Sequence, residues 1–129
     1  MDSALREPEA FLPLTPAVFH ILLALADGER HGYAIMQEVA AGTSGTLKLG
    51  PGTLYGSIKR LLADGLIEES GERPDPALDP SAGSGQAERR RYYRLTDRGR
   101  RVAIAEAERL ERLVAAAQAK RLLPGAGGA

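Results

Sequence analysis

The side chains in this chain that could do chemistry are arginines and hydroxyls, gathered in two places. Residues 89–101 hold seven bases, Arg89, Arg90, Arg91, Arg94, Arg98, Arg100 and Arg101, against one acid, Asp97. A stripe of that density attracts phosphate. The second place is a segment running from Gly50 to Gly65. It carries Thr53, Tyr55, Ser57, Lys59 and Arg60 and no carboxylate before Asp64, with Lys48 just ahead of it. Small, hydroxylated and basic side chains are the types that bond to phosphate oxygens and base edges. Residues 64–88 oppose them with seven acids (Asp64, Glu68, Glu69, Glu72, Asp75, Asp79, Glu88) against one base, Arg73. The two blocks, net −6 and +6, cancel within a formal net charge of zero. On charge alone, an Arg-rich surface neutralised by neighbouring acids weighs as much as a phosphate-binding one.

Other chemistries lack their residues. With no cysteine among 129 residues there are no disulfides, thiolate nucleophiles or Cys-zinc sites. His20 and His31 are the only histidines, and neither has metal-ligand spacing. No GxSxG, P-loop or GxGxxG run occurs, and Glu68 and Glu69 fall on successive strand positions that point to opposite faces. The expectation is no enzyme, no metal and no cofactor. The longest apolar run, Ile21 to Ala26, is far short of the roughly 20 residues that span a bilayer. The start, Met-Asp-Ser-Ala-Leu-Arg-Glu-Pro, lacks the pattern of a secretory signal, so the expected location is cytoplasmic with no membrane partner.

Helices must position these groups, since Ala and Leu dominate an apolar fraction of 43% and aromatics are only 5%. Thr15 can cap a first helix with Pro16 at its first position, and Val18, Ile21, Leu22 and Leu25 recur at helical spacing. A second helix fits His31 to Ala41, with Ile35 and Val39 inward, and the Gly-, Thr- and Ser-rich stretch 42–50 is a loop. The third helix has Gly50 as N-cap, Pro51 at N1 and Gly65 at the left-handed C′ position. Leu54, Ile58, Leu61 and Leu62 make its apolar face, which leaves Thr53, Gly56, Ser57 and Arg60 outward, flanked by Tyr55 and Lys59. Leu66–Ser70 and Arg91–Leu95 read as two strands of a hairpin with a long irregular tip over 71–88. Alternation then predicts one core and one surface role for Tyr92 and Tyr93.

Thr96 caps a last helix expected to run to about Leu123, ahead of Pro124, with Asp97 suiting its dipole. Ala103, Ala107, Leu110, Val114 and Ala117 follow 4-3-4-3 spacing, a seam for a partner helix. The same small residues would also let this helix fold back on its own domain. The resulting organisation is a flexible arm over 1–13, for which Phe11 and Leu12 are available anchors, a core over 14–96, a helix over 97–123 and a flexible tail over 124–129. The fold class is mainly α with a small β-hairpin.

Three helices, a hairpin and a trailing helix make a winged helix-turn-helix with a C-terminal dimerisation helix. The segments Leu14-Thr15-Pro16, His31-Gly32-Tyr33-Ala34-Ile35, Gly52-Thr53-Leu54-Tyr55, Ile58-Lys59-Arg60-Leu61, Asp64-Gly65-Leu66-Ile67 and Arg91-Tyr92-Tyr93-Arg94-Leu95-Thr96-Asp97-Arg98-Gly99 resemble the PadR family of bacterial transcriptional regulators, in the family's order. The resemblance covers about Leu14 to Arg101 and fits the subgroup with one short C-terminal helix. It implies a homodimer that binds double-stranded DNA, usually as a repressor relieved by a small molecule or a cellular signal. The third helix would enter the major groove with Thr53, Tyr55, Ser57, Lys59 and Arg60. Arg89, Arg90, Arg91 and Arg94 would grip the flanking backbone, and Lys48 would reach phosphate ahead of the helix. An effector pocket would draw on Phe11, Phe19 and His20, which suits a small aromatic or apolar ligand. Two departures stand out: Gly50 where the family often has Ser, and a longer, more acidic wing tip. A winged-helix module that binds protein, or a small-molecule-binding dimer without DNA binding, are the alternative functions.

Overall fold

The structure, a computed structural model, describes residues 7–74 and 89–125. A 3-10 turn, Pro8–Phe11, leads into helix α1, Pro16–Leu25. A two-residue strand β1, Arg30–His31, precedes α2, Gly32–Gly42, and then α3, Pro51–Ala63. Strands β2, Ile67–Pro74, and β3, Arg89–Leu95, form the hairpin, and α4, Asp97–Ala119, closes the chain. The sheet is antiparallel in the order β1-β3-β2, so β3 is central.

Helix ends follow local chemistry. The Thr15 hydroxyl accepts from the Val18 N–H at 3.2 Å, with Pro16 where its missing N–H costs nothing. His31 Nδ1 caps α2 by accepting from the Ala34 N–H at 3.1 Å. Helix α3 starts at Pro51 behind Gly50 with no side-chain cap. It stops in a Schellman motif: Leu66 N–H donates to the Leu61 carbonyl and Gly65 N–H to Leu62, with Gly65 at φ +72°.

The core gathers Ile21, Leu22 and Leu25 of α1, Ile35 and Val39 of α2, Leu54, Ile58 and Leu61 of α3, Leu66 and Ile67, Tyr93 of β3 and Val102 of α4. Leu62 packs on it from partial cover. This burial fixes the roll of α3 and turns its remaining face outward.

Several elements differ from the expectation. Within the arm expected over 1–13, residues 8–13 are held by the two anchors the sequence offered, Phe11 and Leu12, which pack on the core, and the 3-10 turn lies against α4. The Leu14 N–H donates at 2.8 Å to Oε2 of Glu106, a buried α4 carboxylate. Both oxygens of that carboxylate also accept from Arg109, whose Nη2 stands 3.1 Å from Oε2. The hairpin is longer than expected, since pairing continues through Glu72↔Arg91 to Pro74↔Arg89 past an irregularity between Glu69 and Gly71. The remaining tip, 75–88, lies outside the described residues, as do positions 1–6 and the tail 126–129. Helix α4 ends at Ala119, short of Leu123, because Arg121 takes φ +62° and Leu122 N–H closes back on the Ala117 carbonyl. Tyr92 and Tyr93 are both buried: β1 and Arg73 cover the Tyr92 side, with the His31 ring edge-on at 5.3 Å and the guanidinium 3.7 Å above the Tyr92 ring.

Candidate nucleic-acid interface

The exposed face of α3 carries Thr53, Tyr55, Gly56, Lys59 and Arg60 in full view, with Ser57 half-buried. These are the residues left over once Leu54, Ile58 and Leu61 point inward. Lys48 is exposed on the loop ahead of the helix, held there by its neighbour Leu49, which is buried. Upstream in the same loop the Thr43 hydroxyl donates to the Val39 carbonyl at 2.8 Å and accepts from the Leu47 N–H at 3.2 Å.

Thr53, Gly56, Ser57 and Arg60 line one side of a cleft of about 280 Å³, and Thr15 and Val18 line the other. The side of α3, from its first turn to Arg60 in its last, therefore faces the N-terminal turn of α1 across one concavity. Helix N-termini present N–H groups and positive partial charge, which suits an anion such as phosphate.

Tyr55 is 47% exposed, yet it is not free of the fold. Its ring lies over Gly32, the first residue of α2. A Cβ at Gly32 would stand 2.4 Å from the Tyr55 hydroxyl oxygen and 2.8 Å from Cζ. The seat of this side chain is thus made by a glycine, a relation no helical spacing reveals.

The four wing arginines do not form one stripe. Side chains alternate along β3, so Arg89 and Arg91 share a face with Tyr93, while Arg90 and Arg94 share the other with Tyr92. Each of the following already has a partner. Arg94 Nε lies 2.8 Å from Glu68 Oε1, Arg91 Nε lies 3.6 Å from Glu69 Oε1, and Arg89 Nη2 donates to the Glu72 carbonyl at 2.6 Å. Arg90 stands 5.8 Å from the Tyr33 ring centroid. Arg73, the lone base of the acidic block, pairs with Glu29. Among the described residues, Glu68 and Glu69 of the acidic block are thus cross-strand ion-pair partners of Arg94 and Arg91 in the basic one. Burial pushes the Tyr93 hydroxyl above its ordinary pKa, with Arg91 acting against that rise and Tyr55 near enough to add to it.

The 4-3 seam on α4 divides. Ala103 packs half-buried against the chain's own core, Leu110 and Ala117 are half-buried, and Ala107 and Val114 are exposed. Residues 111–116 are all exposed, Leu113 at 54% among them. Of the expected effector residues, His20 lines a cleft of about 140 Å³ with Leu23, Ala24, Glu38, Val39 and Gly42. Phe11 and Phe19 are half-buried and do not line it. Among the described residues no group of His, Asp and Glu could hold a metal ion, and no helix is long and apolar enough to cross a membrane.

The transcriptional regulator PadR-like family matches residues 21–105. The chain is 36% identical over 94 residues to transcriptional regulator Rv3488 of Mycobacterium tuberculosis, across 73% of this chain and 75% of that protein. It is 45% identical over 64 residues to an uncharacterized 37.1 kDa protein in transposon TN4556 of Streptomyces fradiae. That alignment takes in 47% of this chain but spans only 18% of the transposon protein. The fold is similar to Bacillus subtilis PadR in complex with operator DNA, at TM-score 0.55 and 20% identity, over 76% of this chain and 48% of that one.

Proposed function

The chain belongs to the PadR-like family of transcriptional regulators, not to a family of enzymes, and from that membership we propose that it is a homodimeric, DNA-binding repressor whose α3 enters the major groove. The observation that carries this reading is the exposed face of α3. It is free of carboxylates from Pro51 to Ala63, hydroxylated and basic, and fixed in orientation by three buried apolar residues. Lys59 and Arg60 have the length and donors to reach guanine or phosphate, and Thr53 and Ser57 can bond to either. The same face borders a cleft with the N-terminal turn of α1 at Thr15 and Val18, where a positive helix end would favour phosphate beside Arg60.

Dimerisation is supported by the second half of α4. Leu113 and Val114 are exposed there, within a run, 111–116, that is exposed throughout. Burying such side chains against a partner removes apolar surface from water at about 25 cal/mol per Å². Repression would follow from a dimer occupying promoter DNA. Release by a small aromatic or apolar effector would require that ligand to bind the DNA-competent and incompetent dimers unequally. A 100-fold loss of affinity for DNA needs about 2.7 kcal/mol of coupling.

The test begins with selection of bound sequences from a random duplex pool. Affinity for the selected duplex should fall steeply with salt, at about −0.9 in log–log slope per phosphate contact. Lys59→Ala and Arg60→Ala should each weaken binding while leaving the melting curve in place. Selection that recovers no preferred sequence, with affinity indifferent to salt, would turn the reading toward a protein-binding winged helix.

A further inference from the structure

The wing arginines differ in what they could do, because the hairpin has two faces. Tyr93 sits in the same core cluster as Leu54 and Ile58 of α3, and Tyr55 of α3 is near enough to act on its hydroxyl. The Tyr93 face of β3 is therefore the one that adjoins the proposed DNA-reading helix, and Arg91 is the next side chain along it. Glu69 is opposite Tyr93 in the register and reaches diagonally to Arg91, 3.6 Å from its Nε. Both side chains are about half exposed, at 59% and 50%. On the other face Glu68 holds Arg94 at 2.8 Å in a pair of similar exposure.

We propose that Glu69 determines how strongly, and how salt-dependently, this protein binds DNA, by occupying the Arg91 guanidinium that a backbone phosphate would otherwise take. The inference rests on the DNA-binding reading above. An exposed ion pair is weak, so a phosphate can displace the carboxylate. The displaced carboxylate nevertheless stays within a Debye length of the duplex and repels it. Part of what Arg91 gains from phosphate is then lost, and fewer counterions are released than a free arginine would release. Glu68 carries the same charge and the same kind of partner but lies on the hairpin's other face, so it does not compete for Arg91.

The experiment measures binding of the full chain to a short duplex by fluorescence anisotropy across a salt series. The proteins are wild type, Glu69→Gln, Glu68→Gln, Arg91→Ala and the Glu69→Gln/Arg91→Ala double variant. Glu69→Gln is expected to steepen the log–log slope by about one contact's worth, 0.9, and to tighten binding roughly three- to tenfold at low salt. Glu68→Gln should stay near wild type, and Glu69→Gln should change nothing once Arg91 is gone. The proposal is overturned if Glu69→Gln matches wild type. It is equally overturned if Glu68→Gln tightens binding as much, or if the gain survives in the double variant, because the acids would then act through the field of the whole wing. A wild-type protein with no salt-dependent affinity for duplex would instead reject the DNA-binding reading, whatever the variants do.

Discussion

Two glycines carry constraints of different kinds. A Cβ at Gly99 would stand 1.8 Å from the Leu66 carbonyl oxygen, a backbone atom that cannot swing aside. Gly99→Ala must therefore pry the start of α4 from the start of β2. Overpacking of this sort costs about 1–3 kcal/mol, and urea denaturation should show a lower midpoint at an unchanged m-value. At Gly32 the obstacle is the tip of a half-exposed tyrosine, which can rotate away. Gly32→Ala is expected to retain most of the stability but to unseat Tyr55. If Tyr55 contacts a base edge, duplex affinity should drop by roughly 1–3 kcal/mol, and titration of folded protein would show it. A large fall in melting temperature for Gly32→Ala would place the residue's role in folding and not in aiming Tyr55. Sequence reasoning put Tyr55 off the Leu54/Ile58/Leu61 face, and it is half exposed; that its ring rests on the residue beginning another helix was invisible, because nothing local encodes it.

Elements whose ends depend on local residue types were legible, and those that depend on distant partners were not. Thr15 with Pro16, Gly50 with Pro51, Gly65, and Thr96 each mark a boundary by their own chemistry, and the structure puts helix ends at all of them. The end of α4 escaped because Arg121, not a glycine, supplies the left-handed turn; Ser44 does the same after α2. Left-handed backbone costs a residue with a Cβ about 1 kcal/mol or more, so Ser44→Gly should raise stability by a measurable fraction of that. Strand β1 escaped because two residues have no periodicity, and it exists through pairing with Tyr92 and Tyr93 some sixty positions later. Nothing in its local sequence sets Glu106 apart from the other acids of this helix, yet it ties Leu14, just past the 3-10 turn, to α4. Hydrogen bonding to Arg109, against the opposing effect of burial, holds its carboxyl below the usual 4.5. A carboxyl depressed on folding adds stability that is complete above its unfolded pKa and fades as pH falls through the folded one. Acid should therefore loosen this anchor below about pH 4.5, and exchange of the Leu14 amide followed by NMR is the readout. Glu106→Ala should remove the pH step and cost about 1–3 kcal/mol, by leaving the Leu14 N–H without its acceptor.

For the molecule as a whole, the dimer is the decisive expectation. Leu110→Asp should yield monomers in sedimentation and lose operator binding together, since one recognition helix alone makes half the contacts. A two-fold dimer would set its two α3 helices about 34 Å apart or a multiple of that, one turn of B-DNA. Dimers that persist in Leu110→Asp would move the interface off this seam, with exposed Leu113 next in line. The joint at the foot of α4 gives such a dimer a further property. The Thr96 hydroxyl donates to the Gly65 carbonyl at 2.6 Å and accepts from the Gly99 N–H at 3.0 Å, and the Thr96 N–H donates to the Leu66 carbonyl at 3.1 Å. Gly65 and Leu66 are the residues that terminate α3, so the two helices share one knot of hydrogen bonds with no free residue between them. In the proposed dimer α4 then works as a crankshaft, delivering rotation at the subunit contact directly to the reading head. Each residue inserted into α4 would turn the partner by about 100° and shift it by about 1.5 Å. An insertion of seven residues, two turns, would restore that rotation to within about 20° yet displace each subunit by about 10.5 Å, so the length of this helix would be recorded in base pairs of operator spacing.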